Sequence, residues 1–361
     1  MRPAVRQRRG IAATTFGLAA LVGLLLALLT PADGTAAGGC DAFASPRGFD
    51  GRGDGSLRRP FRSPTKLLAA LRPGQIGCFR GGRYRFSEVR IATPDITLTS
   101  YLSERVSLRG AIKIPPAGAG AIVEGMRLNG AGGSSDIGPK IYADDVILRD
   151  NVITNDHTDI CVLVSRFYSH AAPRNVVIRH NRIHDCGELP STNLDHGIYL
   201  SGAVGAVIKD NLIYDNADRG IQLYPAPRGT VISGNVIDGN GSGMVISGLG
   251  GTTSDQNLIH GNIIANSNVS WNVRSGRDGP GALVNVVADN CVFATNRNRY
   301  YDSNGGIESP SRNFLAIRNV IANPRYRNAA ADDFRLSRAS GCLRSYTGTM
   351  ALPGAPPPGA R

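Results

Sequence analysis

The chain has 361 residues, with 40 Lys and Arg against 28 Asp and Glu and a formal net charge of +12. A chain this long ordinarily divides into two domains, but a solenoid grows without adding separate cores, and the internal repeats described below favour one domain. The cationic surplus draws polyanions. No clustered Lys/Arg block points to nucleic acid, which leaves acidic polysaccharide as the partner. A purely compositional origin is the alternative, since only four of the cations are Lys.

The chain opens with Arg2, Arg6, Arg8 and Arg9, an apolar run from Ile11 to Leu29, and the small residues Thr35-Ala-Ala37. This is the pattern of a signal peptide over 1–37, implying a secreted, extracellular or cell-wall-associated monomer with no stable membrane insertion once cleaved. A retained anchor is the rival reading. Export makes the six cysteines readable as disulfides, for which fifteen connectivities exist. Neighbourhood along a stacked chain favours Cys40 with Cys78, Cys161 with Cys186, and Cys291 with Cys342. Cys161 also fits as a small buried hydrophobe.

From Cys40 to Gly55 the chain is Gly-rich and polar and is expected to be a loop. Ser63-Pro-Thr-Lys-Leu-Leu-Ala-Ala-Leu71 predicts a helix with Ser63 as N-cap and Pro64 in the first turn, closing one end of a stack. Short alternating strands are expected at 75–80, 88–91, 96–100, 106–108 and 121–128. Three units then repeat one plan: 175–183 leads to His196-Gly-Ile-Tyr, 206–213 to Arg219-Gly-Ile-Gln, and 230–237 to Ser242-Gly-Met-Val. Strands this short cannot bury an apolar face alone, so the units must stack. An Asn marks each corner, at 151, 181, 211, 235, 262 and 290, with a seventh at 319; it is expected to take the left-handed conformation and to ladder with its neighbours. Strands are expected at 268–274 and 333–336, with a break at Asp278-Gly-Pro-Gly281 and a loop leaving the stack at 300–311. The β-helix domain covers 38–345, followed by a Pro/Gly-rich tail at 346–361, disordered from Pro353.

Gly81-Gly-Arg-Tyr84, the Asn-centred units, Asp185-Cys-Gly187, Asp195-His-Gly-Ile-Tyr199 and Asp218-Arg-Gly-Ile-Gln-Leu-Tyr-Pro225 resemble the secreted actinobacterial right-handed parallel β-helix repeat proteins of the pectate-lyase-like superfamily. The resemblance implies an all-β, right-handed, single-stranded parallel β-helix with an N-terminal helical cap. It leaves the chemistry open, because that superfamily holds lyases, epimerases, hydrolases and proteins with no known activity.

Counting eight from the corner Asn aligns Asp159 with Arg219, and His196 matches them by motif despite its longer loop; alternation then gives Val162, Tyr199 and Gln222, and Val164, Ser201 and Tyr224, as outward rows. One face would gather Asp159, His196, Tyr199, Arg219, Gln222 and Tyr224. That set suits β-elimination or C5 epimerisation at a uronate, with Arg219 neutralising the carboxylate, His196 as base oriented by Asp195 or Asp159, and Tyr199 as acid. Stacked surface polars with no catalysis are the plain alternative. No Arg-His-Gly element occurs, so the mechanism of the calcium-dependent lyases of this fold does not transfer. A hydrolase would need paired carboxylates and is the lesser reading. No cofactor is fixed; His157, Asp159, His184, Asp185, Asp195 and His196 come from adjacent units and offer ligands for calcium, though at no compact spacing. Arg149, Arg179 and Lys209, each two before a corner Asn, form a second ladder for anionic polymer. A non-catalytic cell-surface carbohydrate binder or structural protein would use both ladders without a base.

Overall fold

The computed structural model describes residues 39–355 apart from 136, 167–170, 277–283, 295–304 and 309–313. The expected signal peptide, the break at 278–281, most of the 300–311 loop and the end of the tail lie outside the described residues.

Successive turns lay down short strands that pair in parallel with the turn before and the turn after. A first face of eleven strands runs from Ala42–Ala44 to Phe314–Ile317. A second runs from Arg127–Asn129 to Val320–Ile321, and a third from Lys140–Ile141 to Val273–Ser275. The long strand Val106–Ile114 bends through both of these, pairing with residues 127–129 and with 140–141, so the two faces join as one sheet. This is a right-handed parallel β-helix. Each three-residue strand sends its middle side chain inward, which builds columns such as Leu148, Ile178, Ile208, Ile232 and Ile259, all fully buried. No turn could bury its apolar residue without the next, so the stack is the unit of stability.

The helix Pro64–Ala70 forms where expected, with Ser63 Oγ accepting the Lys66 N–H at 3.1 Å. It stands at the N-terminal end, where Leu67 and Leu71 close over Gly77. The expected loop from Cys40 is partly a strand: Ala42–Ala44 pairs with Ile76–Phe79 beside the Cys40–Cys78 disulfide. The expected strand at 121–128 is two, Ile122–Glu124 and Arg127–Asn129, parted at Gly125.

The corner between the first two faces differs from expectation in one respect. The left-handed residue is the one before each Asn, namely Asp150, His180, Asp210, Gly234, Gly261, Asp289 and Arg318. The Asn itself turns its side chain inward. Asn211 Nδ2 donates to Asn235 Oδ1 at 2.9 Å and to the Ile178 carbonyl at 2.9 Å, while its Oδ1 accepts from the Asn181 backbone at 2.9 Å. The ladder continues from Asn151 to Asn319 and satisfies backbone groups that a bend would otherwise strand in the core. Two further ladders went unread in the sequence. Asn216 Nδ2 donates to Asn240 Oδ1 at 2.7 Å at the corner after the second face, and Asn257 Nδ2 to Asn285 Oδ1 at 2.8 Å before the first.

All three expected disulfides are present. Beyond Ile321 the chain folds back as a strap over the outside of the second face. Its hairpin, Tyr326–Asn328 with Asp333–Leu336, is antiparallel and lies off the stack. Residues 346–355 continue the strap. Tyr346 and Ala351 are buried with Phe334 and Leu336 against Leu212, Val236 and Ile263, and Cys342 bonds Cys291. The strap crosses the Asn corner at two turns, and there the left-handed residue is Gly. A Cβ on Gly234 would lie 2.8 Å from Gly348 Cα, and one on Gly261 2.1 Å from Thr347 Oγ1.

Candidate functional site

On the third face, strands Ile198–Ser201, Arg219–Leu223, Ser242–Ile246 and Val273–Ser275 pair in sequence. Tyr199 stands opposite Gln222, Gln222 opposite Val245, and Val245 opposite Arg274; Arg219 stands opposite Ser242. The preceding strand is slipped by one residue against expectation, because Val162 pairs with Ile198 and Leu163 with Tyr199. Consecutive left-handed residues at Asp156 and His157 absorb one more residue after that corner, so a fixed count from the Asn fails there. Asp159 therefore does not share the row of His196 and Arg219. Its Oδ1 accepts the Ile160 N–H at 2.7 Å and its charge acts on Lys140.

The structure does not present His196 to solvent. It is 1% exposed, its ring sits edge-on to Tyr199 at 5.5 Å, and Nδ1 has no partner. Burial first, then the charge of Arg219, pushes its pKa down to about 3, so the imidazole is neutral and out of a polymer's reach. Arg219 follows the same Gly-Ile pattern but has the length to extend outward, while the shorter ring stays against the wall. The glycines after these residues are fixed by packing. A Cβ at Gly197 would lie 2.9 Å from Asn216 Nδ2, and one at Gly220 3.0 Å from Asn240 Nδ2, both members of the second ladder. Asp195 does not orient His196 through its carboxylate either, since Oδ2 accepts from Glu188 N and Thr192 Oγ1 in the loop.

Asp218, which the sequence reading passed over, organises that loop. Its carboxylate accepts the Asn193 N–H at 2.8 Å, the Asp195 N–H at 2.7 Å and the Ser191 hydroxyl. Burial alone would raise its pKa, but these bonds outweigh it and the group lies below its ordinary range. The ordered loop then presents Asn193 to Arg219, whose guanidinium donates to the Asn193 carbonyl at 3.1 Å and to its side-chain oxygen. Asn193, Asp218, Arg219, Ser242, Ser270 and Arg274 line one shallow cleft. Arg274 was missed as well; alternation past the inward Val273 is the signal that could have found it. Tyr199 is half-buried beside the cleft and burial raises its hydroxyl pKa. Gln222 is buried in the row, and Tyr224 lies at the far end of its strand, part-exposed.

The second expected ladder is in register, Arg149 opposite Arg179 and Arg179 opposite Lys209, but on the first face. It shares no surface with Arg219. Arg149 is ion-paired with Glu124, both side chains 12% exposed, so it is not presented to polymer as expected. The six candidate calcium ligands also separate. His157 and His184 meet Asp185 at 3.6 and 2.9 Å beside the second face, whereas Asp195 and His196 belong to the third. Among the described residues no three His, Cys, Asp or Glu converge as a metal site.

Residues 132–278 match the family described as the right-handed β-helix region. By sequence, no curated protein matches the chain. Among solved structures, the pectate lyase Pel9A superposes with a TM-score of 0.66 at 12% identity, over 89% of this chain and 91% of that one. The alginate lyase from Paenibacillus sp. str. FPU-7 gives 0.51 at 16% identity, over 71% and 91%. XylC in complex with xylose gives 0.50 at 12%, over 72% and 69%. At such identities the likeness is one of fold.

Proposed function

We propose that the chain is exported and holds an acidic polysaccharide along its third face. The observation that carries this reading is one outward row in unbroken register: Arg90, Lys113, Lys140, Leu163, Tyr199, Gln222, Val245 and Arg274. At about 4.8 Å per strand the row is roughly 34 Å long. Cations stand at both ends, with the half-buried phenol of Tyr199 between them to meet hydroxyls. Three disulfides fit an oxidising compartment, and among the described residues no helix is long and apolar enough to cross a membrane.

Turnover by β-elimination or C5 epimerisation is the second reading, and Lys140 is what favours it. Burial lowers its pKa against the opposing charges of Glu88 and Asp159, with the facing Lys113 adding a smaller push, and that direction is the one a lysine base needs. Lys113 would neutralise the carboxylate beside it. Arg219 lies three strands away, roughly 14 Å, and serves a different sugar of the same chain. His196 then acts as packing beneath Tyr199 and Arg219.

Retention on immobilised polygalacturonate, alginate and hyaluronan, with dextran as the neutral control and with or without calcium, tests both. Acidic polymers should be retained and released by salt, and charge reversal at Lys113 and Arg219 should abolish retention. Equal retention of dextran, or none of any polymer, would reject the proposal. Unsaturated ends absorbing in the near ultraviolet, or solvent deuterium entering the polymer, would add turnover; loss in Lys140→Gln but not His196→Gln would place the base.

A further inference from the structure

The third-face row ends in an ion pair. Ile307 bridges Val273, and the Glu308 N–H donates to the Val273 carbonyl at 2.9 Å, which sets Glu308 directly beside Arg274. Arg274 Nε lies 3.4 Å from Glu308 Oε2, with the two side chains 48% and 26% exposed. Glu308 Oε2 is buried and has no hydrogen-bond partner among the described residues, so charge alone holds it to Arg274 and an anion that offers hydrogen bonds can replace it. The opposite wall of the same cleft carries Arg219, two strands earlier and roughly 10 Å along the stack. Two of its five N–H donors go to the neutral oxygens of Asn193, and among the described residues it makes no ion pair. Burial lowers the pKa of Arg219 against the opposing pull of Asp218, and the repulsion of Arg274 adds a lesser push downward. Two guanidiniums converging on one cleft repel each other unless an anion lies between them. Of the two, only Arg274 is ion-paired among the described residues; the Asp218 carboxylate near Arg219 is engaged by the backbone of the 187–195 loop.

We propose that Glu308 is an internal substitute for part of the ligand: the cleft takes two anionic groups of one molecule, one at Arg219 and the other at Arg274 after displacing Glu308. This rests on the reading of the third face as an acidic-ligand surface and adds a rule of selection to it. A single carboxylate can occupy Arg219 but gains little by competing with a tethered Glu. Two carboxylates on one ligand gain the second arginine as an intramolecular event, so charge density along the polymer, rather than total charge, decides binding. The same logic makes Glu308 a brake on loose binding of sparsely charged polymer.

Titration calorimetry on the full chain with galacturonate, tri-galacturonate and propane-1,2,3-tricarboxylate tests this. Glu308→Gln keeps the shape and removes the competing charge, so tri-galacturonate should bind about tenfold tighter with the monosaccharide unchanged. Arg274→Ala should erase both that gain and the preference for the trimer, while Arg219→Ala should weaken every ligand. Unchanged melting temperatures would exclude misfolding of this partly exposed pair. Weaker or equal trimer binding in Glu308→Gln would show that Glu308 merely props Arg274, overturning the proposal and leaving the polysaccharide reading intact. If tri-galacturonate fails to bind while the small tricarboxylate follows the expected pattern, the polysaccharide reading falls and the clamp stands. If neither binds, both fall.

Discussion

The two corners that flank the second face use the same residue and have opposite consequences. At the first, one left-handed residue and one Asn suffice at every turn from Asn151 to Asn319, and no loop intrudes. At the second, Asn216 and Asn240 ladder in the same way, yet the chain between ladder and third face varies in length, from the long loop at 187–195 to the short link at 241. The inner hydrogen bonding is therefore held constant while the outer chain is free to change. The first corner fixes register, and the second supplies the loops, Asp218, Asn193 and Arg219 that make a cleft.

The largest effect should come from breaking the constant corner. Asn211→Ala leaves the Asn181 N–H buried without a partner, at about 1–3 kcal/mol, and removes the bonds to Asn235 and the Ile178 carbonyl, at about 1 kcal/mol each, so a loss of about 4 kcal/mol is expected from urea unfolding. Glu188→Ala, an exposed change in the variable loop, should stay within about 0.5 kcal/mol. Similar losses in the two variants would mean that the corners do not differ as described.

How far the sequence could be read divides along the same line. Period, inward columns, the disulfide partners and the N-terminal helix were legible, because short alternating strands and a repeated Asn leave few ways to bury the chain; handedness came from the family resemblance. Residues placed by counting from the Asn were legible only where no extra residue intervened, which is why Tyr199 and Gln222 align as expected and Asp159 does not. His196 looked outward by its motif, but a side chain's length decides whether it emerges past the wall. Lys140 joined the row through a two-residue strand too short to signal itself, whereas Arg274 ended an expected strand and was legible by alternation. The course of the strap over the second face was not legible, because Tyr346 and Ala351 pack on Leu212, Val236 and Ile263, more than 80 positions away.

The strap provides the next test, since it covers the second face between the two corners. Asp238 is fully buried under it, accepting from the Tyr326 hydroxyl at 2.9 Å and from Asn266 Nδ2 at 3.0 Å. Burial raises its pKa to about 7. The folded value exceeds the unfolded one near 4, so the stabilisation is complete below about pH 4 and is lost as pH rises through 7, on the order of 4 kcal/mol in all. His196 acts with the opposite sign, its lowered pKa withdrawing stability as pH falls below about 6.5. Global unfolding should thus be nearly flat across this range in the native chain. Asp238→Asn should unmask the His196 slope and remove the increase in proteolytic cleavage of residues 323–355 between pH 5 and 8. An unchanged pH profile of cleavage would contradict a buried neutral Asp238.

The smallest effect sharpens the comparison most. At the second corner the Asn position is filled at one turn by Cys186, which sits five after Asn181 as Asn216 sits five after Asn211. Its backbone N–H already donates to Asn216 Oδ1 at 3.2 Å, and its sulfur bonds Cys161 on the adjacent turn. The disulfide thus replaces a ladder hydrogen bond where the long 187–195 loop begins. Removing it as Cys161→Ala with Cys186→Ala should cost about 3 kcal/mol, the loop-closure term for a ring of this size. Cys161→Ala with Cys186→Asn loses the same closure but offers Nδ2 to Asn216 Oδ1, and should recover about 1 kcal/mol of it by urea unfolding. Recovery would show that the two corners share one construction and that the covalent bond was added where the loop loosens it. If the Asn variant is no more stable than the Ala variant, the second ladder does not extend to this turn, and the disulfide alone holds the base of the cleft.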